Sequence, residues 1–240
     1  MNATTELLKI SGVQKRFAGV TALDGVDMSI AAGSITSVIG PNGSGKTSLM
    51  NVITGFYPAD GGQVVLEGKV LTGLAPHRVA RAGVGRTFQH IRLFKELTVF
   101  DNVLVGAERQ GRRGARDRAH AALATVGLAE WKDRQADKLP YGHQRRLEIA
   151  RSVAAGPRLL ILDEPAAGMN PSEKRELDAL LRQLSRQGLT LLLVEHDMEL
   201  VMGISDAIVA LNFGRAIARG TPEAVRRDPQ VIEAYLGVPS

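Results

Sequence analysis

Cysteine is absent from the 240 residues, which excludes a disulfide scaffold and any thiolate-ligated metal and suits a reducing cytosol. Aromatic residues make up only 4%, and none is interleaved with the dense basic stretch Arg109-Gln110-Gly111-Arg112-Arg113-Gly114-Ala115-Arg116. A nucleic-acid arm stacks bases on such aromatics, so this stretch reads as a solvated loop between helices. No apolar run approaches the roughly 20 residues of a membrane-spanning helix. The first residues lack the basic-then-apolar layout of a signal peptide. Any membrane role is therefore expected to be peripheral. A formal charge of +5 implies solubility before it implies an anionic partner. The length suits one large α/β unit or a core with a subdomain.

What is present centres on Gly40-Pro41-Asn42-Gly43-Ser44-Gly45-Lys46-Thr47. A β-rich stretch, Ile35 to Ile39, precedes it, and a helical pattern, Ser48 to Ile53, follows. G-x-x-x-x-G-K-[ST] between a strand and a helix is a phosphate-binding loop. Its glycines let the backbone curl until successive N–H groups converge on phosphate oxygens, and the helix N-terminus adds partial positive charge. Expected nucleotide contacts are Gly40, Asn42, Gly43, Ser44, Gly45, Lys46, Thr47 and Ser48, with Lys46 on the β- and γ-phosphates and the Thr47 hydroxyl on Mg²⁺.

Around that loop, residues 7–35 and 64–71 read as short β segments of an antiparallel layer. A short helix, Pro76 to Ala82, leads to a strand from Val84 to Phe88 that ends at Gln89. From about His90 to Gly156 the pattern is helical, with helices expected over Val99–Leu104, Arg118–Val126 and Gly142–Ala154. Two unbroken apolar runs, Leu159 to Leu162 and Leu191 to Val194, read as buried parallel strands. Between them, Asn170, Pro171 and Glu173 form a capping-box start to a helix. A hairpin around Phe213-Gly214 and two Pro-started helices follow.

Open α/β sheets place ligands at the C-terminal ends of their strands. Asp163 stands at such an end and suits the Mg²⁺ held by Thr47, while the adjacent Glu164 can orient or deprotonate the attacking water. His196 ends the other buried strand; alone, a strand-end histidine is more often structural. Gln89 alone is uninformative.

The P-loop, Gln89, Leu139-Pro140-Tyr141-Gly142-His143-Gln144, Asp163-Glu164 and His196 stand in the order found in ATP-binding-cassette ATPases, which the chain resembles over nearly its whole length. Gly85 to Gln89, Leu97 to Val99, Gln144 to Arg151, Ala166 to Pro171 and Val231 to Gly237 look most like the ATPase subunits of branched-chain amino-acid importers. The resemblance implies a P-loop NTPase (RecA-like) core with an antiparallel β subdomain, over residues 1–89 and 157–240, and an inserted α-helical subdomain, over 90–156. It implies that Phe17 stacks on adenine with Ala22 lining the same pocket, that Gln89 touches Mg²⁺ and the water, and that His196 senses the γ-phosphate. It further implies a signature loop at Pro140, Tyr141, Gly142 and His143 acting on a partner's ATP, and a dimer-interface loop at Ala167, Gly168, Met169 and Asn170. The partners so implied are a second ATPase subunit, identical or not, two membrane permease subunits facing residues 90–106, and a separate substrate-binding protein. Nucleic acid is not among them. The implied place is the cytoplasmic face of the inner membrane.

One departure matters. The family's signature usually reads L-S-G-G-Q; here Pro140 takes the serine position and His143 the glutamine position. Both a hydroxyl and an N–H are lost, which predicts reduced but real ATPase activity. Two rivals, a nucleic-acid-directed cassette ATPase and a regulatory module without turnover, are weaker: no paired cassette or coiled-coil insertion is present, and Lys46, Asp163, Glu164 and His196 are all intact.

Overall fold

Alternating burial runs through β1 (Glu6–Phe17) and β2 (Val20–Ala31). Ile10, Val26, Met28 and Ile30 are buried while the residues beside them are exposed or partly so, the period-two mark of a half-buried strand. The computed structural model describes residues 5–236. β3 (Ile35–Ile39), buried at every position, leads through the glycine-rich loop into α1 (Lys46–Ile53). β4 (Gly61–Leu66) and β5 (Lys69–Val70) then complete a four-stranded antiparallel sheet ordered β2-β1-β4-β5. Several short segments were expected at its start. One long hairpin forms instead, with its alternation broken where register shifts between Ile10 and Val13.

After α2 (Pro76–Ala82) comes β6 (Val84–Arg86), shorter than the expected strand to Phe88. A helical block follows: α3 (Val99–Ala107), α4 (Ala115–Thr125) and α5 (Tyr141–Ala154). α4 begins three residues before the expected Arg118, so the end of the basic stretch is helix rather than loop. β7 (Leu159–Asp163), α6 (Pro171–Arg186), β8 (Thr190–Val194), α7 (Met198–Ile204), β9 (Ala207–Asn212), β10 (Arg215–Gly220), α8 (Pro222–Arg226) and α9 (Pro229–Leu236) complete the described chain. The capping box at the start of α6 forms in full: the Asn170 side chain accepts from Ser172 and Glu173 N–H, and the Glu173 side chain accepts from Asn170 N–H.

The second sheet runs β10-β9-β3-β8-β7-β6, parallel except for β10. Alternate residues of its central strands feed two different cores. Leu160, Leu162, Leu191 and Leu193 pack with Leu177 and Leu181 of α6 and with the helical block. Leu159, Ile161, Leu192 and Val194 pack with Leu49 and Ile53 of α1 and with the first sheet. Burying each such leucine contributes about 1.5–3 kcal/mol. Two-sided burial explains why these strands are unbroken apolar runs. It also fixes β3, β7 and β8 side by side, so that whatever follows each strand emerges along one edge.

Candidate active site

Three strand ends meet there. The loop after β3 curls with Gly40, Gly43 and Gly45 at φ of 151°, 80° and 106°, a region closed to most side chains. A Cβ on Gly45 would stand 2.6 Å from the Ala22 carbonyl oxygen, so β2 presses directly on the loop and sets its curvature. Asp24 N–H donates to Gly214 O (2.8 Å) and Gly214 N–H to Ser44 O (2.9 Å), clasping the loop from β10's side. Lys46 Nζ folds back to Gly40 O (2.7 Å) and Pro41 O (3.0 Å). Burial holds its pKa below the usual lysine value, against the opposing pull of Glu164 and Asp163. Ser44 Oγ is buried and has no hydrogen-bond partner in the described residues. Buried hydroxyls are ordinarily paired, so this orphan at a helix N-terminus, inside a glycine cradle, fits a phosphate oxygen. Thr47 and Ser48 lie in the first turn of α1, with Thr47 and Asn42 exposed.

β7 ends at Asp163, beside Val194 of β8. Burial raises the Asp163 pKa, with the neighbouring Glu164 acting the same way and Arg86 opposing. Glu164 takes φ +45°, a left-handed conformation that costs a non-glycine residue about 1–3 kcal/mol and clusters at functional sites. Its N–H is tied to Val194 O (2.8 Å), which helps hold that turn. The carboxylate is thereby presented to two residues singled out in the sequence for other contacts, Gln89 and His196. Gln89 Nε2 donates to Glu164 Oε2 at 2.9 Å, and His196 Nδ1 stands 3.6 Å from Glu164 Oε1. Gln89 is not at a strand end, as expected, but three residues beyond β6.

Phe17 lies at the far end of β1, partly exposed, with its ring edge-on to Tyr57 at 5.1 Å and Lys15 Nζ 5.2 Å from its centroid. Pro140 is the N-cap of α5, and Tyr141 is the first helical position. No N–H is needed from the cap, which is why proline fits. The Tyr141 hydroxyl donates to Ala167 O at 3.0 Å, so the signature turn and the loop 167–170 are joined within one chain. His143, expected in the signature loop, makes its contacts within its own chain. Its ring packs on Trp131 (4.8 Å between centroids) and lies 3.3 Å from Arg146 Nη2, and burial with the Arg146 charge lowers its pKa. Met169 is likewise buried in the helical-block core, because its apolar side chain fills space between α5 and α6. That leaves Ala167, Gly168 and Asn170 as the loop's outward positions.

Four residues of the site carried no sequence signal of their role. Glu195, 1% exposed, accepts from Ala166 N–H (2.8 Å) and His196 N–H (3.1 Å), fixing the backbone on both sides of the cleft; burial raises its pKa. Arg145 of α5, wholly buried, donates to Phe88 O (2.8 Å), Gln89 O (2.7 Å) and Glu148 Oε2 (2.9 Å). Glu148 in turn accepts from Arg92 N–H at 3.2 Å. This pair fastens the Gln89 segment to the helical block. Arg86 is the fourth, paired with Asp163 at 3.2 Å.

Comparison with known proteins follows the same lines. The ABC transporter family model matches residues 23–167, and the model for the branched-chain amino acid ATP-binding cassette transporter matches residues 217–239. The chain is 47% identical to the high-affinity branched-chain amino acid transport ATP-binding protein LivG of Escherichia coli, over 96% of this chain and 98% of that protein. Its identity to the corresponding BraF of Pseudomonas aeruginosa is also 47%, with the same shares covered. Among solved structures, the ADP conformation of MJ1267, an ATP-binding cassette of an ABC transporter, superposes with a TM-score of 0.89 at 34% identity, covering 98% of this chain and all of that one. A nucleotide-free ATP-binding cassette from an ABC transporter gives 0.88 at 33%, covering 97% and 100%.

Proposed function

Because this chain belongs to the ABC transporter family, we propose that it is the ATP-hydrolysing subunit of an importer for branched-chain or related amino acids, docked on separate membrane permease subunits. The observation that carries this reading is the meeting of the glycine-rich loop, Asp163-Glu164 and His196 at one sheet edge, with Gln89 and His196 both on Glu164. Relatives of nearly full length are named for branched-chain amino acid transport, which supports the substrate class.

In this reading the N–H groups of the glycine-rich loop and the N-terminus of α1 bind the β- and γ-phosphates, and Lys46 swings from its two carbonyls to them. Among the described residues no three His, Cys, Asp or Glu cluster as a self-sufficient metal cage. Thr47, Asp163 and Gln89 would hold a Mg²⁺ here, an ion usually bound by a few protein oxygens rather than by a full protein cage. Bound Mg²⁺ supplies charge neutralisation of the phosphates. Glu164 takes the proton of the attacking water, Gln89 keeps that carboxylate aimed, and His196 contacts the γ-phosphate. Phe17 and Ala22 flank the adenine. A second ATPase subunit, identical or not, contributes its turn at 140–143, through Gly142 N–H and the end of α5, and its loop at 167–170. Residues 1–89 with 157–240 act as the nucleotide-binding body and 90–156 as the moving helical part, whose segment 90–106 meets the permease at the cytoplasmic face. A separate binding protein delivers the amino acid.

Reconstitution tests this. The chain, its two permease subunits and the binding protein in liposomes should take up labelled leucine, isoleucine or valine on ATP hydrolysis, and Glu164→Gln should abolish uptake. ATP turnover by the wild-type assembly without uptake of any amino acid offered would overturn the transport assignment.

A further inference from the structure

Arg86 ends β6, and its side chain is only 8% exposed. One guanidinium nitrogen, Nη2, lies 3.2 Å from Asp163 Oδ2; the other, Nη1, donates to Asn51 Oδ1 of α1 at 2.6 Å and reaches Thr54 Oγ1 at 3.4 Å. The guanidinium carbon stands 5.1 Å from the Phe88 ring centroid and 5.9 Å from that of Phe56. Its Nε is buried without a partner. The same side chain forms part of the wall of a cavity of about 630 Å³ lined also by Phe94, Arg92, Arg109 and Arg151, with no carboxylate in the lining.

We propose that Arg86 is a positioning residue for the metal-holding carboxylate: it neutralises Asp163 when no cation is bound, and a cation reaching Asp163 must share or displace that guanidinium. This rests on the reading of the cleft as an ATP site with Asp163 on the metal. The physical case is direct. A largely buried carboxylate without a counter-charge is costly, and the chain neighbour of Asp163 is another carboxylate, Glu164. Arg86 is the one cation hydrogen-bonded to Asp163 among the described residues. Its tethers to Asn51 and Thr54 fix it to α1, the helix whose first turn holds Lys46 and Thr47, so its charge is held in place rather than wandering as a surface lysine would. The charge lowers the site's appetite for a divalent ion and lets the cleft tolerate nucleotide without one.

The test is equilibrium binding of a fluorescent ATP analogue to the purified full chain, in EDTA and in saturating Mg²⁺. The quantity read is the ratio of the two dissociation constants, Kd in EDTA over Kd in Mg²⁺. Arg86→Gln should widen that ratio about tenfold, the order expected for deleting one unit charge next to the metal-holding carboxylate. Arg86→Met, an unbranched side chain that fits between Phe56 and Phe88, should do the same if the glutamine variant folds poorly. Arg86→Lys keeps the charge and should restore a ratio near the wild type. A purely structural role would weaken binding in both buffers together and leave the ratio unmoved; an unchanged or narrowed ratio in both neutral variants overturns the proposal. Failure of the wild-type chain to bind the analogue at all would instead sink the ATP-site reading on which it stands.

Discussion

Glu164 is held in a left-handed turn with Gln89 Nε2 2.9 Å and His196 Nδ1 3.6 Å from its carboxylate, an arrangement that would keep the base proposed above from rotating away from its water. Glu164→Gln keeps the shape and removes the proton acceptor. Steady-state phosphate release should fall by about 10²–10⁴-fold, the usual share of general-base catalysis, while equilibrium binding of ATP is retained. Pro140 makes a separate prediction. Restoring serine at the α5 cap returns a side-chain acceptor and an N–H, so Pro140→Ser should raise turnover; an unchanged rate in the phosphate-release assay would mean that Gly142 N–H and the helix end already suffice. Glu195 bears on stability. Burial raises its pKa in the folded chain, so folding takes up protons there, and the wild type gains stability as pH falls through that raised pKa toward the ordinary carboxylate range. Glu195→Gln has no such proton to gain. The difference in melting temperature, wild type minus variant, should therefore move in favour of the wild type from pH 7 to pH 5; a flat or reversed difference would contradict the assignment.

Among the elements, α5 does two jobs. Its first turn presents the signature residues, and one turn later Arg145 and Glu148 hold residues 88–92. Arg145→Met strands Glu148 as a buried, unpaired charge and should destabilise the fold by about 3–5 kcal/mol. Adding Glu148→Leu should recover most of that in a denaturant titration, yet leave permease-stimulated turnover low, because the Gln89 segment is no longer fastened. The parallel strands β3, β7 and β8 were legible because burial on both faces leaves only apolar residues, and α6 because its cap is written in three neighbouring positions. The β1–β2 hairpin was less so, since its bulges interrupt the alternation that marks a strand. β6 ends early because Phe88 and Gln89 turn away to meet Arg145, a partner 56 or more residues distant that no local pattern announces. Arg86, Arg145 and Glu195 were invisible for the same reason: each acts through side chains or backbone brought to it by the sheet order. Tyr141 was singled out, but its hydroxyl bond to Ala167 spans 26 residues and is equally non-local.

The whole molecule is built so that the central strands of one largely parallel sheet serve two cores and one edge. Truncating a residue shared by that design, Leu193→Ala at 0% exposure, should cost about 2–5 kcal/mol and lower the melting temperature without moving the site's residues relative to one another. In the proposed reading each chain binds nucleotide at its own glycine-rich loop and presents its turn at 140–143 to a partner's nucleotide, so nucleotide should favour pairing. With ATP bound and hydrolysis blocked by Glu164→Gln, the chain should elute as a dimer, and without nucleotide as a monomer. The central claim is that this cleft binds ATP through the glycine-rich loop and splits its terminal phosphate. Its most direct test is phosphate release and ATP binding measured side by side for the wild type and Lys46→Ala. The structure predicts that the variant loses turnover and binds ATP far more weakly, with its melting temperature little changed; full affinity and full turnover in Lys46→Ala would contradict it.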